Sequence, residues 1–175
     1  MTSLLPHPHL FPRQKEAEYA QNPPAGPTPS SSSPPGTNQR FTLLPTNNSS
    51  VIEQLRVWER TLPDGRGNGI AGLSIAWTNH DEKRVGMCEG AASKEFRFQK
   101  GERIQIMYVY AGDDGVEGLW FVTDAQRSFF PGRSSTRYDM GNLGSGILVG
   151  FEGWEEMEEG DGVVVGLLAL GATFR

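Results

Sequence analysis

An all-β domain is what this sequence predicts, on three observations. Short runs rich in β-branched and aromatic residues recur about every 8–12 residues, with turn residues between them. No stretch carries a helical period with caps at its ends. Prolines, the usual interrupters of strands, are segregated: all but Pro63 and Pro131 of the 12 lie between Pro6 and Pro45.

That segregation divides the chain. Residues 1–40 hold Pro23-Pro24 and Pro34-Pro35 on either side of a serine run, with few residues able to form a core. They are expected to be disordered. Residues 41–175 are enough for one domain with a single core.

The elements follow in order. Residues 41–45 read as an edge strand ended by Pro45. In 51–59, Leu55 and Val57 share one face, with Gln54, Arg56 and Trp58 on the other. Ile52, Leu55 and Trp58 also fit a helical spacing, but the short length and the Pro63-Asp64-Gly65 turn favour a strand. Leu73, Ile75 and Trp77 then alternate with Ser74, Ala76 and Thr78, and 79–83 is a polar hairpin tip leading to a return strand at 84–88. Phe96 and Phe98 alternate with Arg97 and Gln99. Residues 104–110 are apolar on both faces, Gly112-Asp113-Asp114-Gly115 is a hairpin turn, and 119–123 and 128–130 are further strands, the last stopped by Pro131-Gly132. Residues 133–145 read as a loop. Strands at 147–151 and 163–170 close the chain, joined by an acidic segment at 152–162. Ten to twelve or so short strands suit a sandwich, a barrel or a prism.

Charge narrows the function classes. The net charge is -5, and residues 1–40, with Arg13, Lys15 and Arg40 against Glu16 and Glu18, hold none of that excess. An acidic domain without a basic cluster excludes nucleic acid as the expected partner and has the wrong sign for anionic lipid. No apolar run reaches the length of a signal-peptide core or a membrane span, so no membrane insertion and a cytoplasmic location are expected. Cys88 is the one cysteine, which rules out an intrachain disulfide, and it reads as a small apolar strand residue.

No catalytic set is visible. His7 and His9 lie in the proline-rich stretch and His80 at a hairpin tip, with no serine or cysteine motif beside them. Glu152, Glu155, Glu156, Glu158, Glu159 and Asp161 crowd into ten residues, but not at the spacing of a calcium loop, so they read as a solvated acidic run. No enzyme activity, no cofactor and no metal are expected.

One ordered set of segments resembles a known family. G-E-R-I at 101–104, L-W-F-V-T-D at 119–124, I-L-V-G-F-E-G at 147–153 and V-V-V-G-L-L at 163–168 are similar, in that order, to the strand motifs of the jacalin-related lectins, mannose-binding members included. Residues 51–58 and 72–77 fit earlier strands of that family more loosely. The resemblance spans about residues 50–171. It implies a β-prism, three four-stranded antiparallel sheets about a pseudo-threefold axis, and association into homo-oligomers through exposed strands. It also implies a sugar site on the last long hairpin, where a Gly-x-x-x-Asp motif offers a carboxylate and backbone N–H groups. The chemistry suits sugars, because vicinal hydroxyls both donate and accept, and an ionised Asp accepts from two at once.

Carried onto this chain, the resemblance makes Asp161 the carboxylate, with Gly160, Gly162 and Gly153 around it and Trp154 as a stacking face. Met157 stands where the motif has glycine, and the loop is longer than usual. The expectation is non-catalytic carbohydrate binding; the alternative is a protein-interaction module on a lectin scaffold.

Overall fold

The computed structural model describes residues 19–29, 38–157 and 163–175, and every regular element among them is a strand. In chain order these are β1 (Ala20–Gln21), β2 (Asn38–Leu43), β3 (Ile52–Thr61), β4 (Asn68–Trp77), β5 (Glu82–Gly86), β6 (Lys94–Arg97), β7 (Ile104–Gly112), β8 (Gly115–Thr123), β9 (Ser128–Phe129), β10 (Arg137–Asp139), β11 (Leu148–Met157) and β12 (Val164–Phe174). They form three four-stranded antiparallel sheets: a terminal sheet in the order β1-β12-β11-β2, a second, β5-β4-β3-β6, and a third, β10-β7-β8-β9. This is the β-prism. No described helix is long and apolar enough to cross a membrane.

Each sheet turns one face to a common core. Leu55 and Val57 of β3 stand opposite Ile75 and Leu73 of β4, and Met107 and Val109 of β7 opposite Phe121 and Leu119 of β8. Phe151 and Leu170 add the terminal sheet, and all ten of these side chains are buried. The apolar outer face of β7 is covered in part: Tyr108 stacks on Trp120, with centroids 5.2 Å apart, and the Arg137 guanidinium lies over Tyr108. A register shift between Ile104 and Ile106 puts Ile104 in the core and leaves Ile106 exposed. Trp77, fully buried, donates its Nε1–H to the Val149 carbonyl at 2.8 Å, joining the second sheet to the terminal one.

The structure differs from the sequence reading in three places. β1 and the start of β2 fall within the stretch expected to be disordered. The prolines there do not prevent pairing, because the edge strand needs only some of its amides: Asn22 N donates to Ala172 O and Ala25 N to Leu170 O, while Pro23 and Pro24 fall between. Asn22 anchors the run, its side-chain amide donating to Asn142 O and Ala172 O. Residues 1–18 and 30–37 lie outside the described residues. Secondly, the expected loop at 133–145 holds β10, a three-residue edge pairing with Tyr108–Tyr110 of β7. Thirdly, half of the acidic segment is strand. β11 runs on to Met157, and its carboxylates have partners: Glu152 accepts from Arg40 at 3.3 Å, Glu155 from Gly86 N at 2.6 Å and Glu156 from Arg60 at 3.1 Å.

At the end of the prism where β7 begins, a buried ion pair fixes the loop between β6 and β7. The Glu102 side chain is 1% exposed and pairs with Arg127, whose guanidinium also lies 4.3 Å from the Phe96 ring centre. Glu102 accepts from Gln99 N at 2.7 Å and from the Thr123 hydroxyl at 2.6 Å. Burial pushes this carboxyl up, but Arg127, Gln99 and Thr123 together hold it below the usual carboxylate range. Its stabilisation is therefore full above the unfolded-state value and fades as pH falls through the folded one. Glu102→Gln is expected to cost about 2–3 kcal/mol at pH 7, less than a fully buried pair would because Arg127 is partly exposed. Urea unfolding of variant and wild type should differ most near neutral pH and converge as pH falls below the carboxylate range, because the folded-state value is lowered.

Candidate functional site

At the opposite end of the prism three hairpins meet, one from each sheet. The β3–β4 hairpin closes through Leu62 N to Gly67 O at 3.0 Å, and Asp64 accepts from Arg66 N within its tip. The β7–β8 hairpin is a two-residue turn, Asp113-Asp114, between the paired Gly112 and Gly115. The β11–β12 hairpin has its tip at residues 158–162, outside the described residues.

One guanidinium links all three. Arg60, near the end of β3, donates to Val165 O of β12 at 2.9 Å, to Asp114 O at 3.3 Å and to the Glu156 carboxylate of β11 at 3.1 Å. It lies against Gly166, where a side chain would meet it. Charge-assisted bonds to three segments make it a clamp rather than a surface pair. A second clamp stands beside it. Arg133 forms paired bonds with both oxygens of Glu117, each at 3.1 Å, and with both oxygens of Asp64, at 3.2 and 2.9 Å. The Arg133 guanidinium holds both the Asp64 and Glu117 carboxyls below their usual range. The β3–β4 tip is thereby tied to β8 and to the segment after β9.

The electrostatic character of this end follows. Both Arg60 and Arg133 are spent on acids and carbonyls, while Asp113 and Asp114 present exposed carboxylates in the turn. Among the described residues no three His, Cys, Asp or Glu side chains gather as a metal set.

Of the residues singled out by sequence, Asp161, Gly160 and Gly162 lie outside the described residues. Gly153 and Trp154 are adjacent in β11, on opposite faces. Gly153 pairs with Phe41 and Leu170, and a side chain there would run into the Ala169 carbonyl of β12 first and the Phe41 ring of β2 next, so close strand packing requires a glycine. Trp154, half-buried, stands between Arg40 and Ala169, three residues and so about 10 Å from Met157 along the strand. Arg60 and Arg133 escaped the sequence reading. Their partners are distant in the chain, 96 residues for Arg60 and Glu156, and no local pattern announces them.

The remaining candidate nucleophile is quiet. Cys88 is half-buried against Gly72, its thiol donating to Val85 O at 3.3 Å, and burial pushes it up from 9.0 to about 11. At pH 8 a disulfide reagent should modify Cys88 about a hundredfold more slowly in the native protein than in urea, as its thiolate fraction requires.

No protein-family profile matches the chain, and no curated protein sequence matches it. Solved structures do share its architecture. The lamprey immune protein superposes with a TM-score of 0.68 at 20% identity, over 89% of this chain and 44% of that one, so this chain spans less than half of that protein. The Calsepa lectin, solved in complex with a bisected glycan, gives 0.60 at 20% identity, over 89% of this chain and 96% of that one. A mannose-binding jacalin-related lectin from Ananas comosus gives 0.56 at 16% identity, over 89% and 96%. The fold is thus the β-prism of the jacalin-related lectins.

The clamp can be tested without any ligand. Arg60→Ala removes three bonds and leaves Glu156 without this partner, and it is expected to lower stability by about 1–2 kcal/mol in urea unfolding.

Proposed function

We propose that this protein binds carbohydrate at the end of the prism where the three hairpins meet, and does so without catalysis. The observation that carries the reading is the Arg60 clamp, which holds the β7–β8 turn and the stems of the β3–β4 and β11–β12 hairpins side by side on a lectin fold. Two lectins sharing that fold are a mannose-binding one and one solved with a bisected glycan. In this reading the Asp161 carboxylate accepts from vicinal sugar hydroxyls, and the backbone N–H groups of Gly160 and Gly162 donate to them. Trp154, farther down β11, offers a ring face to a second sugar unit beside the strand. Gly153 contributes by letting β2 and β11 pack, and so by positioning Trp154.

A second reading has its own observation. The outer face of the third sheet carries exposed Ile106 and Phe130 near the Tyr108–Trp120 stack, and Tyr138 is exposed at the β10 edge of the same sheet. Such a face suits a protein partner, a second copy of the chain included, if the sugar site is lost.

A glycan array separates the two. Asp161→Ala should reduce binding of the best neutral glycan at least tenfold, the scale of a lost charge-assisted bond. Binding unaltered by the substitution would remove Asp161 from the site; no glycan bound by the wild type would leave the interaction reading.

A further inference from the structure

The far end of the prism, away from the three hairpins, holds a cavity that sugar binding does not use. It measures about 430 Å³ and lies between the start of β3, the β4–β5 turn and the β6–β7 loop. That is within the range of small-molecule pockets, roughly 300–1,000 Å³. Its lining is mostly apolar, from Val51, Ile52 and Phe98, and its rim is polar, with His80, Lys100 and Glu53.

Both walls are held in place before any ligand arrives. On one side Thr78 N donates to Val51 O at 3.0 Å, Val51 N to the Thr78 hydroxyl, and His80 N to Trp77 O at 2.8 Å. His80 takes a positive φ of 67°, which fixes the turn that carries its side chain to the rim. On the other side the Phe98 ring packs on Phe96 and Phe121, and Phe98 N donates to Glu53 O at 2.9 Å. The buried Glu102 carboxylate grips the Gln99 amide, and Gly101 turns the loop with a φ of 79°. A concave apolar floor on rigid supports binds without a large ordering cost.

The rim supplies the sign of the ligand. Among the described residues neither the Lys100 ammonium nor the His80 imidazole has a hydrogen-bond or ion-pair partner. Glu53, the one acid of the rim, stands on β3 beside β6, whose Arg97 is paired with Glu95 at 2.6 Å and reaches Glu53 only through its field. Elsewhere this protein spends its cations on carboxylates and carbonyls, as Arg60, Arg127 and Arg133 show. An uncommitted ammonium and a hydrogen-bonding imidazole over an apolar floor match a molecule with a flat or aliphatic body and an anionic head.

We infer that this cavity is a second binding site, for a small organic anion with an apolar body, independent of the hairpin end. Val51, Ile52 and Phe98 take up the body, and Lys100 and His80 meet the head.

Anilinonaphthalene sulfonate has this chemistry and reports on its own binding by fluorescence; phenylnaphthylamine is its neutral counterpart. The folded full chain, checked by near-UV circular dichroism, is expected to bind the sulfonate at one saturable site. Val51→Glu puts a charge on the floor at a half-buried position and should weaken both probes at least tenfold. Lys100→Glu, on the exposed rim, should weaken the sulfonate about fivefold or more and leave the neutral amine within twofold. Phe130→Ala should change neither, since Phe130 lies on the outer face of the third sheet. If the sulfonate fails to saturate, or if Phe130→Ala abolishes its signal while Val51→Glu and Lys100→Glu do not, the site is not this cavity. Equal loss of both probes in Lys100→Glu would overturn the anionic head. These outcomes do not depend on whether any glycan binds.

Discussion

Three sheets share one core here, and none of them has a core of its own. A single four-stranded sheet with one apolar face has nothing to bury it against; three such sheets bury each other. This constraint explains the buried inner faces of β3, β4, β7, β8, β11 and β12. It also explains why Trp77 matters beyond its size. Its ring fills the shared interior, and its single polar atom finds an acceptor on another sheet. The register of one sheet is thus fixed against the next by a bond as well as by packing.

The same arrangement divides the two ends of the molecule. At one end three hairpins lie together, and carbonyls and acids of the β7–β8 turn, the β3–β4 tip and the β11–β12 stem are gathered by Arg60 and Arg133. At the other the connections between sheets cross, and a buried Glu102–Arg127 pair takes the corresponding role. Both ends thus rely on a guanidinium that satisfies several acceptors at once, which a lysine could not do in the same geometry. The hairpin end remains acidic because its two clamping cations are already committed.

How much of this was legible in the sequence depended on the range of the interaction. Strands with a clear alternation, such as β4, and strands set off by strong turns, such as β7 and β8, could be read directly. The order of their motifs pointed to the prism, and the structure has it. β1 could not be read, because proline content argues against a strand unless the pairing partner and its spacing are known. β11 was read too short, because a run of acids looks solvated until Arg40, Arg60 and Gly86 N are seen beside it. At the candidate site the sequence offered Asp161, the glycines around it and Trp154, but not Arg60. A clamp made of residues 60, 114, 156 and 165 has no local signature.

β1 pairs with β12 in antiparallel sense, Ala20 with Phe174 and Gln21 with Thr173, and Asn22 and Ala25 carry the pairing on to Leu170. The two ends of the described fold therefore leave the molecule side by side. A pull that separates them loads this pair as a zipper, opening its hydrogen bonds one after another rather than shearing them together. Under such a load the terminal sheet sheds its edge run first, from Ala20 toward Ala25, while the clamps of the hairpin end stand outside the loaded path.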